Sequence, residues 1–165
     1  MATENKLTIR YRETDNKAEL DKEDQHLLSS AREAAMNAYA PYSGFRVGAA
    51  LRLSSGRIVK GTNIENAAFP SGICAERSAI ANAAISFPDD KPVSLAIVAY
   101  AGDKLTEDPV PPCGSCRQVI AEEEYRHSTN IRIILGGKNK TIIIDKGADL
   151  LPLQFSVNNL KLNSR

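Results

Sequence analysis

The sequence predicts an α/β domain of three layers, a central mixed sheet of five strands covered by helices on both faces. Three observations carry that reading. Segments with apolar residues at helical spacing alternate along the chain with segments of period two or of continuous apolar character. Pro and Gly punctuate the joins. At 165 residues and 42% hydrophobic content, the chain can bury one core of ordinary domain size. Strands that alternate with helices in this way share one sheet, against whose faces the helices pack.

Taken in order, residues 1–20 are polar and charge-rich, with Leu7, Ile9 and Tyr11 alternating as in a short strand. They are expected to form an N-terminal tail that can add to a sheet edge, ahead of a domain spanning 21–165. From Asp21, the residues Leu27, Leu28, Ala31, Ala34, Ala35 and Ala38 mark the buried stripe of a first helix, closed by Pro41. Phe45, Val47, Ala49, Leu51 and Leu53 then alternate, turn at Ser54-Ser55-Gly56 and continue into Ile58 to Asn63, a β-hairpin. Pro70-Ser71-Gly72 breaks the chain before an alanine-rich helix from Cys74 to about Ser86, which Pro88 ends. Val93 to Tyr100 reads as a buried strand. A Pro-rich loop leads to a further helix from Cys113 to about Tyr125. Ile131 to Leu135 and Thr141 to Asp145 flank Gly136-Gly137-Lys138-Asn139-Lys140 as a second hairpin, and a short helical region is expected to follow.

Charge and cysteine usage narrow the function. Lys and Arg total 21 against 20 for Asp and Glu, so a net charge of +1 gives no general attraction for a nucleic-acid backbone. No stretch approaches the roughly 18 apolar residues of a membrane span, and a soluble, cytoplasmic protein is expected. The three cysteines are an odd set for a disulfide framework. Cys113 and Cys116 form a C-x-x-C pair, and Cys74 precedes Ala75-Glu76. All three sit at helix starts, where free N–H groups and the positive helix end favour the thiolate. Soft thiolates in tetrahedral array suit Zn²⁺. Three protein ligands leave a fourth position for water, as in a catalytic site, whereas a structural site normally fills all four. Glu76 is then the natural general base, although alone it would serve equally as a first-turn glutamate stabilising its helix by roughly 0.3–1 kcal/mol. The rival reading is a structural zinc module of Cys74, Cys113, Cys116 and His127. It leaves Glu76 without a role, and His127, beside Arg126 and Ser128, suits a solvated surface position.

The segments Cys74-Ala75-Glu76-Arg77 and Pro112-Cys113-Gly114-Ser115-Cys116-Arg117-Gln118 resemble the zinc signature of the cytidine deaminase family. The resemblance extends over Ala40 to Leu51, Gly61 to Ile80 and Leu150 to Phe155. It implies one zinc per chain on Cys74, Cys113 and Cys116, and a water made acidic by that metal. Glu76 takes the proton of that water as hydroxide attacks C4 of cytosine, then passes protons to N3 and the departing amine. Cytidine and 2′-deoxycytidine would become uridine and 2′-deoxyuridine plus ammonia. Three thiolates on Zn²⁺ leave a negative centre, and the arginine matching Arg77 offsets it by hydrogen bonds to ligand sulfurs. The resemblance further gives Asn63 and Glu65 the sugar hydroxyls, Ala75 N–H the base carbonyl, and Phe45 the pyrimidine face. Phe155 would come from a neighbouring subunit of a homotetramer with shared active sites. Phe69 stands where a tyrosine is frequent whose hydroxyl meets the ribose 5′ oxygen of an adjacent site, so that bond cannot form here. Ser156-Val157 likewise replaces a frequent Gly-Pro. The histidine ligand and basic surface of polynucleotide deaminases are missing from the pattern.

Overall fold

The computed structural model describes residues 2–160. In chain order these form β1 (Arg12–Thr14), α1 (Lys22–Ala35), β2 (Phe45–Leu53), β3 (Ile58–Thr62), α2 (Ala75–Ser86), β4 (Pro92–Ala101), β5 (Lys104–Leu105), α3 (Gly114–His127), β6 (Arg132–Gly136) and β7 (Thr141–Ile144). The sheet runs β1-β7-β6-β4-β2-β3, with β5 on the end of β4. Neighbours are antiparallel except β4 and β6, which are parallel. A parallel pair needs a crossover, and α3 supplies it.

Period-two alternation divides the strands between two cores. Ala50, Ala96, Val98, Ile134 and Ile143 face α1, which brings Leu27, Leu28, Ala31 and Ala35. Ala49, Leu51, Leu95, Ile97, Ile133 and Leu135 face the other layer, where α2 adds Ala75, Ala79, Ile80 and Ala83 and α3 adds Ile120. The result is the predicted α/β/α sandwich. Two glycines set the depth of this packing. A Cβ on Gly48 would lie 2.0 Å from Ala31 O, and one on Gly61 would lie 2.4 Å from Ala75 O. Bare backbone at these positions lets α1 and α2 rest directly on the strands.

Helix ends follow local chemistry. Asp21 caps α1, its carboxylate accepting the Asp24 N–H at 2.7 Å. Glu124, buried on α3, accepts the N–H groups of Ile131 (2.7 Å), Gly147 (2.8 Å) and Ala148 (3.0 Å). One carboxylate thus ties the end of α3 to the start of β6 and to the turn after β7.

Several details depart from expectation. The sheet has seven strands rather than five, because two short segments of modest apolar content pair at its margins. The tail adds its strand at Arg12–Thr14, where Arg12↔Ile143 and Thr14↔Thr141 are in register, while Leu7, Ile9 and Tyr11 stay exposed. Helix α1 ends at Ala35, ahead of Ala38 and Pro41, because the Tyr39 N–H leaves for Asn63 O at 3.1 Å and draws the chain toward the sheet. The expected C-terminal helical region is a pair of 3-10 turns, Gly147–Leu150 and Val157–Leu160. Residues 161–165 of the expected domain lie outside the described residues. No helix among the described residues is long and apolar enough to cross a membrane.

Candidate active site

Cys74 and Cys113, both in extended conformation, are the capping residues of α2 and α3, and Cys116 lies one turn into α3. Their sulfurs converge: Cys74 to Cys113 is 3.8 Å, Cys113 to Cys116 is 3.5 Å, and all three lie within 4.8 Å of one another. A tetrahedral centre with Zn–S bonds of about 2.3 Å has an S···S edge of about 3.8 Å. The donor set therefore fits one zinc per chain. Among the described residues no other three His, Cys, Asp or Glu side chains converge in this way.

Burial pushes the Cys74 and Cys116 thiols above their ordinary range. At Cys113 burial acts the same way but is outweighed by the Cys116 backbone N–H and the neighbouring thiols, which pull it down. A bound dication holds all three as thiolates.

The sulfurs of Cys74 and Cys113 open onto a cavity of about 630 Å³. Glu76, in the first turn of α2, is on its wall and is 5% exposed. Burial pushes its carboxyl up, opposed by its own backbone N–H, the Cys116 thiol and the Arg77 charge. A carboxyl so placed binds a proton more readily than an exposed glutamate does. Ala75, buried beside it, carries one of the first-turn amides for which the helix offers no partner. Arg77 is half-buried, and among the described residues it donates no hydrogen bond to a cysteine sulfur.

Higher on the wall stand Phe45, Asn63 and Glu65. Asn63 bridges to β2, its Oδ1 accepting the Val47 N–H at 2.8 Å and its Nδ2 donating to Phe45 O at 2.9 Å. Each amide atom keeps spare capacity toward the cavity. Glu65 accepts from the Tyr42 and Ser43 N–H groups and from the Ser43 hydroxyl, which holds its carboxyl below the ordinary range. Phe69 meets Tyr42 edge-to-face, ring centres 5.8 Å apart, at the exposed rim. Among the described residues the lining contains no Lys, Arg or His.

Phe155 lies apart from this cavity. Its ring is 60% exposed, and its carbonyl accepts from Gln118 Nε2 at 2.9 Å. His127 is at the far end of α3, about 16 Å along the axis from Cys116, and pairs with Glu123 at 3.3 Å. The module built on His127 as fourth ligand is thereby excluded.

The geometry also adds residues. Tyr42, Ser43, Ile73, Val110 and Pro111 line the cavity from loops that carry no periodic signal. Arg117 ties the carbonyl before Cys113 to the C-terminal segment, donating to Pro112 O at 2.8 Å and Leu150 O at 3.0 Å.

Comparison with known proteins agrees with this geometry. A family model described as "Cytidine and deoxycytidylate deaminase zinc-binding region" matches residues 21–129. The cytidine deaminase of Sporosarcina psychrophila is 46% identical over 140 residues, covering 82% of this chain and 93% of that protein. The cytidine deaminase of Halalkalibacterium halodurans is 39% identical over 136 residues, covering 82% and 96%. Among solved structures, the cytidine deaminase of Burkholderia pseudomallei superposes with a TM-score of 0.69 at 34% identity, over 79% of this chain and 98% of that one. With the cysteine cluster, the glutamate and the sandwich in place, this chain belongs to the zinc-dependent cytidine and deoxycytidylate deaminase family.

Proposed function

We propose that the chain is a zinc-dependent cytidine deaminase, converting cytidine and 2′-deoxycytidine to uridine and 2′-deoxyuridine with release of ammonia. Residues 21–165 form its deaminase domain and residues 1–20 a tail. The observation that carries this is a cluster of three convergent thiols, two of which line one cavity together with a buried glutamate. Bound zinc supplies the Lewis acidity that makes a water acidic near neutral pH. Glu76 receives the proton of the attacking water, then delivers protons to ring N3 and to the amine as it leaves C4. The Ala75 N–H holds the base carbonyl, and Phe45 covers the ring. Asn63 and Glu65 take the sugar hydroxyls, and Arg77 would offset thiolate charge beside a metal held by Cys74, Cys113 and Cys116. The reduced thiols suit the cytoplasm.

The family spans nucleoside and nucleotide substrates, and this cavity favours the nucleoside. Glu65 stands on its wall, and among the described residues of this chain the lining holds no cation to bind a phosphate. Deamination followed by ultraviolet absorbance should show turnover of cytidine and 2′-deoxycytidine, with kcat/KM for deoxycytidylate lower by about 100-fold from like-charge repulsion. Equal or faster turnover of deoxycytidylate contradicts the nucleoside reading.

The enzyme is further read as a homotetramer whose sites are completed by a neighbour's Phe155. What supports this is the exposure of Phe155 and Leu153 beyond the last strand, outside their own chain's cavity. Glu76→Ala and Phe155→Ala chains, co-refolded, should regain wild-type sites in about a quarter of positions by random pairing. Hybrids proven by mass but without rescue would return Phe155 to its own chain.

A further inference from the structure

The loop before β2 reaches the cavity through Ser43, a residue with no role in the scheme above. Its Oγ accepts the Phe45 N–H at 3.0 Å. Its one hydroxyl proton goes to Glu65 Oε1. Gly44, at φ +65, makes the reversal that folds the Phe45 amide back onto that oxygen, a conformation that favours glycine. Because the Phe45 N–H occupies one lone pair, the hydroxyl is oriented and its proton is aimed at the carboxylate. The other carboxylate oxygen, Oε2, accepts the Tyr42 N–H at 2.9 Å and the Ser43 N–H at 3.3 Å.

A glutamate at a cavity edge ordinarily turns freely about its last bond. Here both oxygens are held, one of them by a side chain whose own direction is fixed by the backbone of a residue on the cavity wall. Among the described residues, Ser43 is the one side chain that donates to Glu65. Its hydroxyl is also the first cause of the lowered carboxyl there, so Glu65 meets a substrate as a fixed, ionised acceptor.

We propose that Ser43 is a positioning residue for nucleoside binding, acting through Glu65 by fixing the plane of the carboxylate that faces the sugar. The inference rests on the reading of Glu65 as the sugar's acceptor. Loss of the hydroxyl leaves Glu65 its two backbone donors but frees Oε1 to rotate, which weakens binding in ground and transition states alike.

The test is steady-state kinetics on cytidine for Ser43→Ala, Ser43→Thr, Glu65→Ala and the Ser43→Ala/Glu65→Ala double variant, with zinc content measured for each. Ser43→Ala should raise KM about tenfold with kcat within about threefold, and Ser43→Thr, which keeps the hydroxyl, should return KM to within about threefold of wild type. In the Glu65→Ala background, Ser43→Ala should add less than about twofold, the signature of one residue acting through another. Unchanged KM in Ser43→Ala, or fold-changes that multiply in the double variant, overturns the proposal. A fall in kcat and zinc content at constant KM would also overturn it, leaving Ser43 a structural role. If Glu65→Ala alone leaves KM unchanged, the sugar-acceptor reading fails first and Ser43 falls with it. A wild type inactive on cytidine would instead overturn the proposed function itself.

Discussion

Glu76, in the first turn of α2, and Glu124, near the end of α3, are both buried in the layer that covers one face of the sheet. Their surroundings differ in one respect. Glu124 accepts three backbone N–H groups, from Ile131, Gly147 and Ala148, so its oxygens are committed. Glu76 has its own N–H, a thiol and a nearby arginine, and burial dominates, raising its carboxyl. Both leave water, but Glu124 is tied to three backbone donors, while Glu76 stands on the cavity wall. Burial alone therefore does not make a catalytic carboxylate; burial on the wall of a cavity beside the thiols Cys74 and Cys113 does.

Substituting each glutamate in turn should separate the two roles. Glu76→Gln removes the proton carrier and little else, so kcat should fall about 10²-fold to 10⁴-fold while zinc and thermal stability hold, as read by stopped assays, metal analysis and calorimetry. Retained turnover in that variant would move the proton chemistry elsewhere. Glu124→Ala leaves two buried donors and one half-buried donor unsatisfied and should lower unfolding free energy by about 3 kcal/mol or more in urea titrations. The folded fraction should retain zinc and normal KM. A Glu124 variant that is fully stable but inactive would erase the distinction.

Arg77 tests how much the environment of Glu76 depends on charge next door. Arg77→Ala should slow deamination about tenfold or more through lost compensation of the thiolates, with the fold intact. Unchanged turnover would mean that the helix ends suffice. The smallest expected effect is none: His127→Ala should leave zinc content and kcat as they are, since its partner is Glu123 and not the sulfur cluster. Zinc loss from that variant would reopen the structural-module reading.

Much of the architecture was legible in the sequence because it is written in periodicity. Leu51, Leu95 and Ile133 facing one layer, with Ala50, Ala96 and Ile134 facing the other, follow from side chains that alternate along a strand. The margins were only partly legible: the tail was expected to add to an edge and does, but at Arg12–Thr14 rather than at Leu7, Ile9 and Tyr11. Residues Lys104–Leu105 form a strand because Tyr100 and Ala101 offer an open edge, and Arg12–Thr14 because β7 does. Neither segment carries a pattern of its own, and tertiary pairing decided both. The site divides in the same way. Cys74, Glu76, Cys113 and Cys116 announce themselves by residue type at helix starts. The link from Ser43 to Glu65 spans 22 residues and that from Glu124 to Gly147 spans 23, each through a side chain that could equally have faced solvent. Such ties leave no spacing to read, since loop geometry alone brings the partners together.

The central claim is that the sulfur cluster holds the zinc on which Glu76's proton transfer depends. The direct measurement is cytidine turnover and zinc content on the same protein as a chelator removes the metal and added Zn²⁺ restores it. Turnover should fall in proportion to zinc, vanish in the stripped protein and return as one equivalent per chain is added back. Full turnover by protein shown to be free of metal would contradict the account.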